Sequence, residues 1–339
     1  MRRQKIIVVG ATGKVGREML SILLERGVPQ ENVSAAASHR SVGSTVSYGD
    51  SVLVVQDIAD VDFSNYNIAL FSAGSEVSKE YAIKASDFNC IVVDNTSYFR
   101  MFDHIPLIVP EINFDCCLKN HDSKIIANPN CSTIQTVMVL KPLHDAFGLK
   151  EVVISTYQSV SGAGQKGVSE LVEQTERSLL NQEITPNHFK KQIAFNVIPQ
   201  IDSFHSSLYT KEELKMMEET KKILGLDDLD ITATCVRVPV MVGHAVSVFA
   251  KFERDVGLEE ARELINNFPG VSIMDEPEAC EYATPIDSAS KDDVFVSRIR
   301  KHPTISNGIS FWCVADNVRK GAALNAVQIA EKLFHTSLP

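Results

Sequence analysis

The residue of this 339-residue chain with the plainest chemistry is Cys131, in the run Asn128-Pro129-Asn130-Cys131-Ser132-Thr133. An apolar segment at 124–127 precedes the run. Ile134, Val137 and Leu140 follow at helical spacing, so the sulfur falls at or near a helix start. Unpaired N–H groups and the helix dipole stabilise a thiolate there, which lowers the thiol pKa and makes the sulfur a nucleophile near neutral pH. A second constellation, Gly10-Ala11-Thr12-Gly13-Lys14-Val15-Gly16, lies between the apolar run Ile6-Ile7-Val8-Val9 and a helical set of Val15, Met19, Leu20, Leu23 and Leu24. Strand, glycine turn and helix in that order suit a dinucleotide pyrophosphate: glycines let the backbone come close, and open N–H groups at the helix start bind the anion. About 20 residues on, an NAD-binding chain carries an acidic residue for the ribose 2′-hydroxyl. This chain has Ser38-His39-Arg40-Ser41 instead. A guanidinium flanked by Ser38 and Ser41 suits a 2′-phosphate, so the cofactor expected is NADP(H). The small residues Ser72-Ala73-Gly74-Ser75 follow another predicted strand and suit a loop beside that cofactor. A thiolate next to a hydride carrier has an evident use, because it can hold an acyl group as a thioester that a nicotinamide reduces.

Positioning these groups takes a sheet. Short apolar runs at 6–9, 68–71, 91–93, 107–109 and 124–127 read as strands, and the first fifty residues alternate strand with helix. That pattern predicts an α/β fold with a Rossmann-type parallel sheet over residues 1–130. From residue 151 the strands lengthen and alternate, as in Thr232, Thr234, Val236 and Val238 against Ala233, Cys235 and Arg237, with another strand at 244–252. Helical spacing recurs at 166–180, 211–224 and 258–268. The second domain, 131–311, is therefore expected to be α+β with a mixed sheet.

Bulk properties narrow the class. A single core stops growing at roughly 250–300 residues, so 339 residues predict two domains. With 44% hydrophobic and 22% charged residues the chain has the make-up of a soluble globular protein. A net charge of −10 argues against a nucleic-acid partner. The apolar run behind the basic start is too short for a signal peptide, and no stretch reaches the ~18 apolar residues of a membrane span, so a cytoplasmic location is expected. Seven cysteines without CxxC spacing suit a reducing compartment better than a disulfide or zinc framework, and most should be small buried hydrophobes. No metal is expected.

Several motifs, taken in order along nearly the whole chain, resemble the aspartate-semialdehyde dehydrogenase family. They are the turn at 10–16, Val93-Asp94-Asn95-Thr96-Ser97-Tyr98-Phe99-Arg100, Val109-Pro110-Glu111-Ile112-Asn113, the run around Cys131, the segment 158–164, and Arg237 with His244. The family converts 4-aspartyl phosphate and NADPH into aspartate 4-semialdehyde, phosphate and NADP, for lysine, threonine, methionine and isoleucine synthesis. By this resemblance Cys131 carries the thioacyl group, His244 is the general acid–base and Gln158 orients the acyl group. Arg237 takes the substrate α-carboxylate, Arg100 and Lys215 take phosphate together with Asn95, and Glu212 meets the ammonium. Glu212 is separable from Glu213 on physical grounds, since Thr210 and Glu213 fit a capping box that leaves Glu212 without a structural task. Ser161, Gly162 and Asn317 are implied cofactor contacts. The resemblance also implies that the segment 312–339 returns as a helix to complete the first domain, and that the protein forms homodimers or dimers of dimers through its second domain. N-acetyl-glutamyl-phosphate reductase shares the chemistry, but Glu212 has no purpose against an acylated nitrogen. A non-catalytic NADP sensor would not need Cys131, Gln158, Arg237 and His244 together.

Overall fold

The computed structural model describes residues 1–119 and 123–335. The chain divides into two units, one formed by the chain up to Asn130 together with the segment from Ala322, the other by Cys131–Gly321. In the first unit seven strands form one sheet in the order β3-β4-β2-β1-β5-β6-β7. They are β1 (Ile6–Val9), β2 (Val33–Ala37), β3 (Thr45–Tyr48), β4 (Ser51–Asp57), β5 (Ile68–Phe71), β6 (Ile91–Asp94) and β7 (Ile125–Ala127). All pairings are parallel except β3 with β4 at the edge. β1 lies at the centre and is buried at every residue, as a strand covered on both faces must be. The helix Lys14–Glu25 buries Met19, Leu20, Ile22 and Leu23. The helix Leu324–His335 packs beside it, with Ala326, Val327, Ile329, Ala330 and Leu333 in the same core.

Two expectations are corrected. Residues 107–109 make only one bridge, Leu107 to Ala127, because Pro106 and Pro110 flank the run and remove ladder donors. The segment 312–339 is not a helix throughout: strand Gly308–Ala315 belongs to the second unit's sheet, and helical structure begins at Arg319, as a π-helical stretch Arg319–Ala323 that runs into helix Leu324–His335. Residues 336–339 of that expected helix lie outside the described residues.

The second unit is built on a six-stranded mixed sheet of order β11-β14-β15-β10-β8-β9. Its strands are β8 (Leu149–Gln158), β9 (Asp230–Arg237), β10 (His244–Phe252), β11 (Val271–Ile273), β14 (Val294–Lys301) and β15 (Gly308–Ala315). The two-residue strands β12 (Asp275–Glu276) and β13 (Glu281–Tyr282) pair separately. Helices Cys131–Phe147, Lys211–Leu224 and Leu258–Asn266 pack on the sheet. On β8 the buried residues Val152, Ile154, Thr156 and Gln158 alternate with exposed Val153 and Tyr157, and on β9 Thr232 and Thr234 are likewise exposed. One sheet face therefore carries apolar side chains into solvent. Among the described residues no helix is long and apolar enough to cross a membrane.

Candidate active site

The glycine turn follows β1 directly. A side chain at Gly10 would put its Cβ 2.4 Å from the Ser72 carbonyl oxygen, and one at Gly16 would put it 2.2 Å from the Gly10 carbonyl oxygen. The turn therefore closes on the loop after β5 and on its own helix only because both positions are glycine. Gly10 and Gly74 also take positive φ angles, of 86° and 94°. The helix Lys14–Glu25 starts behind Gly13 with no side-chain cap and no acidic residue in its first turn, which leaves its N–H groups to an anion. Thr12 Oγ1 stands 3.5 Å from Ser41 Oγ, so the turn and the segment Ser38, Arg40 and Ser41 after β2 share one edge of the sheet. Asp57, at the end of the neighbouring β4, is engaged by His39 at 2.9 Å and by the Ala59 N–H. These residues fit NADP(H): an anion cradle is present, and the nearby carboxylate is already held below its ordinary pKa by Ala59 and His39.

A second cluster of the first unit surrounds the end of β6. Asp94 is buried and accepts from Thr96 N, Thr96 Oγ1 and Ser78 Oγ, which bends the chain into the loop carrying Asn95 and Arg100. Burial pushes the Asp94 carboxyl up, against those hydrogen bonds and the Arg100 charge. Arg100 donates to the Asn95 carbonyl at 2.9 Å. A chain of amides sets the orientation of Asn95. Asn325 Nδ2 donates to the Ile108 carbonyl and to Asn128 Oδ1, while Asn128 Nδ2 donates to the Ala322 carbonyl and to Asn95 Oδ1. Because carbonyls accept only, they fix both amides, and Asn95 is left with its NH₂ as the outward end.

The third cluster lies wholly in the second unit. Cys131 is the first residue of its helix and is partly exposed, whereas Cys90, Cys117, Cys235 and Cys313 are buried, with burial pushing their thiols up. Cys116 and Cys280 are exposed. Register assembles the rest. His244 pairs with Gln158 across β10 and β8, and Gln158 pairs with Arg237 across β8 and β9, so three side chains stand abreast on three neighbouring strands. All three are buried. Arg237 donates to the Ser159 carbonyl at 2.7 Å, and its charge interacts with both Cys131 and Glu212. Burial pulls this guanidinium below its ordinary value, with Glu212 and Cys131 opposing. Burial and then the Arg237 charge push His244 down to about 3.

Glu212 accepts from Gln158 Nε2 at 3.2 Å and pairs with Lys215 at 3.2 Å; Lys215 also reaches Asp202 at 3.0 Å. Glu213 completes the capping box with Thr210 and in addition accepts from Cys235 N. Asn317 Oδ1 accepts from Ser159, Ser161 and the Gly243 N–H. Gly162 has a task the sequence did not reveal: a Cβ there would lie 2.9 Å from both Arg237 Nη1 and His244 Nε2. Gly321 is similar, since its Cβ would sit 2.8 Å from that of Cys131. Ser159, Asp202, Asn128, Gly321 and Asn325 were also missed. Of these, only Ser159 and Asn128 flank a residue with recognisable chemistry. Among the described residues no group of His, Cys, Asp and Glu is arranged to hold a metal.

Comparison with known proteins agrees along the whole chain. Residues 5–119 match the family model described as semialdehyde dehydrogenase, NAD binding domain, and residues 140–320 the one described as semialdehyde dehydrogenase, dimerisation domain. The aspartate-semialdehyde dehydrogenase of Rickettsia bellii is 47% identical over 99% of both chains, and that of Bacillus subtilis 47% identical over 98% of both. The crystal structure of aspartate semialdehyde dehydrogenase II from Vibrio cholerae superposes with a TM-score of 0.95 at 43% identity, covering 98% of this chain and 99% of its own. It has also been solved complexed with ASA.

Proposed function

Since this chain belongs to the aspartate-semialdehyde dehydrogenase family, we propose that it carries out NADPH-dependent reductive dephosphorylation of L-4-aspartyl phosphate to L-aspartate 4-semialdehyde and phosphate. The observation that carries this reading is the row Arg237, Gln158 and His244, abreast and buried on adjacent strands of the unit whose helix begins at the partly exposed Cys131. The dipole of the helix that Cys131 begins and the Arg237 guanidinium favour a thiolate there. That thiolate attacks the acyl carbon, phosphate departs and a thioester remains. NADPH, when bound along the turn from Gly10 to Gly16 with Arg40 at its 2′-phosphate, supplies the hydride. The hemithioacetal that results expels sulfur to release the aldehyde, with His244 serving its oxygen and Gln158 orienting the acyl group.

The remaining charges match the rest of the substrate. Arg237 is preorganised by the Ser159 carbonyl to fork onto the α-carboxylate. Glu212 meets the ammonium, and Arg100, Asn95 and Lys215 take the phosphoryl group. Lys215 in this structure pairs with both Glu212 and Asp202. The homodimer forms through the open sheet face around Val153, Tyr157, Thr232 and Thr234, where Tyr157 leans on Trp312 with ring centroids 5.4 Å apart. Its biosynthetic role places the enzyme in the cytoplasm.

The test is a spectrophotometric assay in the oxidative direction with NADP and phosphate. Aspartate semialdehyde should turn over and N-acetyl-glutamate semialdehyde should not; the reverse preference would transfer the chain to the acylated substrate.

A further inference from the structure

β9 is the last strand of its sheet, so β8 holds Arg237 from one side, through Gln158, and no strand continues on the other. Ile198 closes that edge at Arg237. Its N–H donates to the Arg237 carbonyl at 2.9 Å, and its carbonyl accepts the Arg237 N–H at 2.8 Å. Ile198 lies between the helices Gly164–Leu179 and Lys211–Leu224, in a stretch that contains no helix or strand, so something else must hold it. Two buried side chains of the first helix do. The Glu170 carboxylate accepts the main-chain N–H groups of Asn187, His188 and Phe189, and Gln174 Oε1 accepts those of Ile193 at 2.8 Å and Ala194 at 3.2 Å. Main-chain donors fix which end of the Gln174 amide is oxygen, so its Nε2 donates to Glu170 Oε1, 2.7 Å away. Ile193, Ala194 and Ile198 are buried in one cluster with Val160 and Leu171. The helix sits hard against that cluster, since a Cβ at Gly167 would lie 2.7 Å from the Val160 carbonyl oxygen.

We propose that Glu170 and Gln174 are positioning residues for substrate recognition: they fix the segment 187–198 and, through Ile198, the main chain of Arg237, so that the guanidinium meets the α-carboxylate in one register. This rests on the function proposed above, in which Arg237 takes that carboxylate. Burying a carboxylate is unfavourable unless donors surround it, and here three main-chain N–H groups and the Gln174 amide do. Apolar packing alone could bury the loop, but it would not set the loop's register, whereas a planar fork reading two carboxylate oxygens tolerates little displacement. Both ends of Arg237 refer to the same platform. Its main chain is held by Ile198, and its guanidinium by the Ser159 carbonyl at 2.7 Å, next in the chain to Val160 of the cluster. Cys131 begins another helix, and His244 lies on β10, two strands in from the edge. Disturbing the platform should therefore change how substrate is held before it changes the chemistry.

Steady-state kinetics in the oxidative direction test this on Gln174→Met, which keeps the bulk of the side chain and removes its amide. KM for aspartate semialdehyde should rise about tenfold, while kcat and the KM values for phosphate and NADP stay within about threefold. General loosening of the protein would instead lower kcat or shift all three KM values together. Asn196→Ala disturbs the segment without touching its buried anchors, and it carries the test if Gln174→Met does not fold. This exposed side chain donates to the Gln192 carbonyl and accepts the Val197 N–H, each at 2.9 Å, in the turn before Ile198. Its removal should raise the same KM about threefold. Arg237→Lys, which loses the fork, is the reference and should raise that KM at least about tenfold. If Arg237→Lys does so while Gln174→Met and Asn196→Ala leave the aspartate semialdehyde KM unchanged, or shift kcat and every KM together, the proposal is overturned and the parent reading stands. An unchanged KM in Arg237→Lys refutes the assignment of Arg237 to the carboxylate, and the proposal falls with it.

Discussion

Gly162→Ala perturbs the site at one point, and its consequence can be worked out from distances. Gly162 is not among the residues with positive φ, so alanine adds no backbone strain and acts only through its methyl group. That methyl would stand 2.9 Å from Arg237 Nη1, 2.9 Å from His244 Nε2 and 3.1 Å from His244 Cε1. Comfortable separations are about 3.5–4.0 Å, so each side chain must withdraw by roughly 0.6–1 Å. Neither can do so freely. Arg237 is held by the Ser159 carbonyl at 2.7 Å and His244 by the Ser159 N–H at 3.1 Å, and both are buried. Overpacking of this kind costs about 1–3 kcal/mol of stability, which a chain of this size survives. Displacing reacting groups by ~1 Å costs on the order of 10²-fold in rate. The variant should therefore be folded, melt a few degrees lower, and lose about 10²-fold in kcat/KM for aspartate semialdehyde oxidation with phosphate and NADP. Stopped-flow turnover beside a fluorescence titration with NADPH decides the matter. Activity within about threefold of native shows the clearance is not needed. A fall in NADPH affinity large enough to explain the whole loss returns Gly162 to the cofactor.

Other variants probe the remaining clusters. Cys131→Ala should abolish phosphate-dependent oxidation while NADPH still binds, as read by equilibrium titration; lost binding would signal misfolding instead. Arg40→Ala should weaken NADPH far more than NADH, and equal weakening would remove Arg40 from the 2′-phosphate. Asn128→Asp cannot donate to Asn95 Oδ1, so Asn95 turns its oxygen outward and KM for phosphate should rise at least about tenfold with kcat less affected; an unchanged phosphate KM contradicts the amide chain. For His244, the folded value of about 3 lies below the ordinary ~6.5. Its stability contribution is then present above about pH 6.5 and lost as pH falls toward 3, because the unfolded chain takes up the proton first. His244→Gln should flatten the fall in denaturant midpoint between about pH 6.5 and 4.5, and an unchanged slope would show the native ring already charged.

Local signals were readable in the sequence and distant pairings were not. β1, the glycine turn and its helix are specified by adjacent residues, and so is the Thr210–Glu213 box, which appears as written. The alternation around Arg237 gave the buried face of β9 because period two needs no partner to be read. β2 and β3 carry little signal of their own, since Ser34-Ala35-Ala36-Ala37 and Thr45-Val46-Ser47-Tyr48 are short and weakly apolar; their neighbours make them strands. The partners of the reactive groups were hidden for another reason. Ser159 meets His244 85 positions away, and Asn325 meets Asn128 across 197. No window of sequence contains both ends, and serine or asparagine alone carries no sign of what it will orient.

The first unit is interrupted: it runs to Asn130 and resumes only at Ala322. Helix Leu324–His335, which supplies much of one side of its core, is thus made only after the whole of the second unit. During synthesis the nucleotide-binding half waits, unfinished, while Cys131–Gly321 is made and can fold as a continuous stretch. A nascent chain truncated before residue 322 would own Cys131, Gln158, Arg237 and His244 yet lack the helix that completes the core of its nucleotide-binding unit.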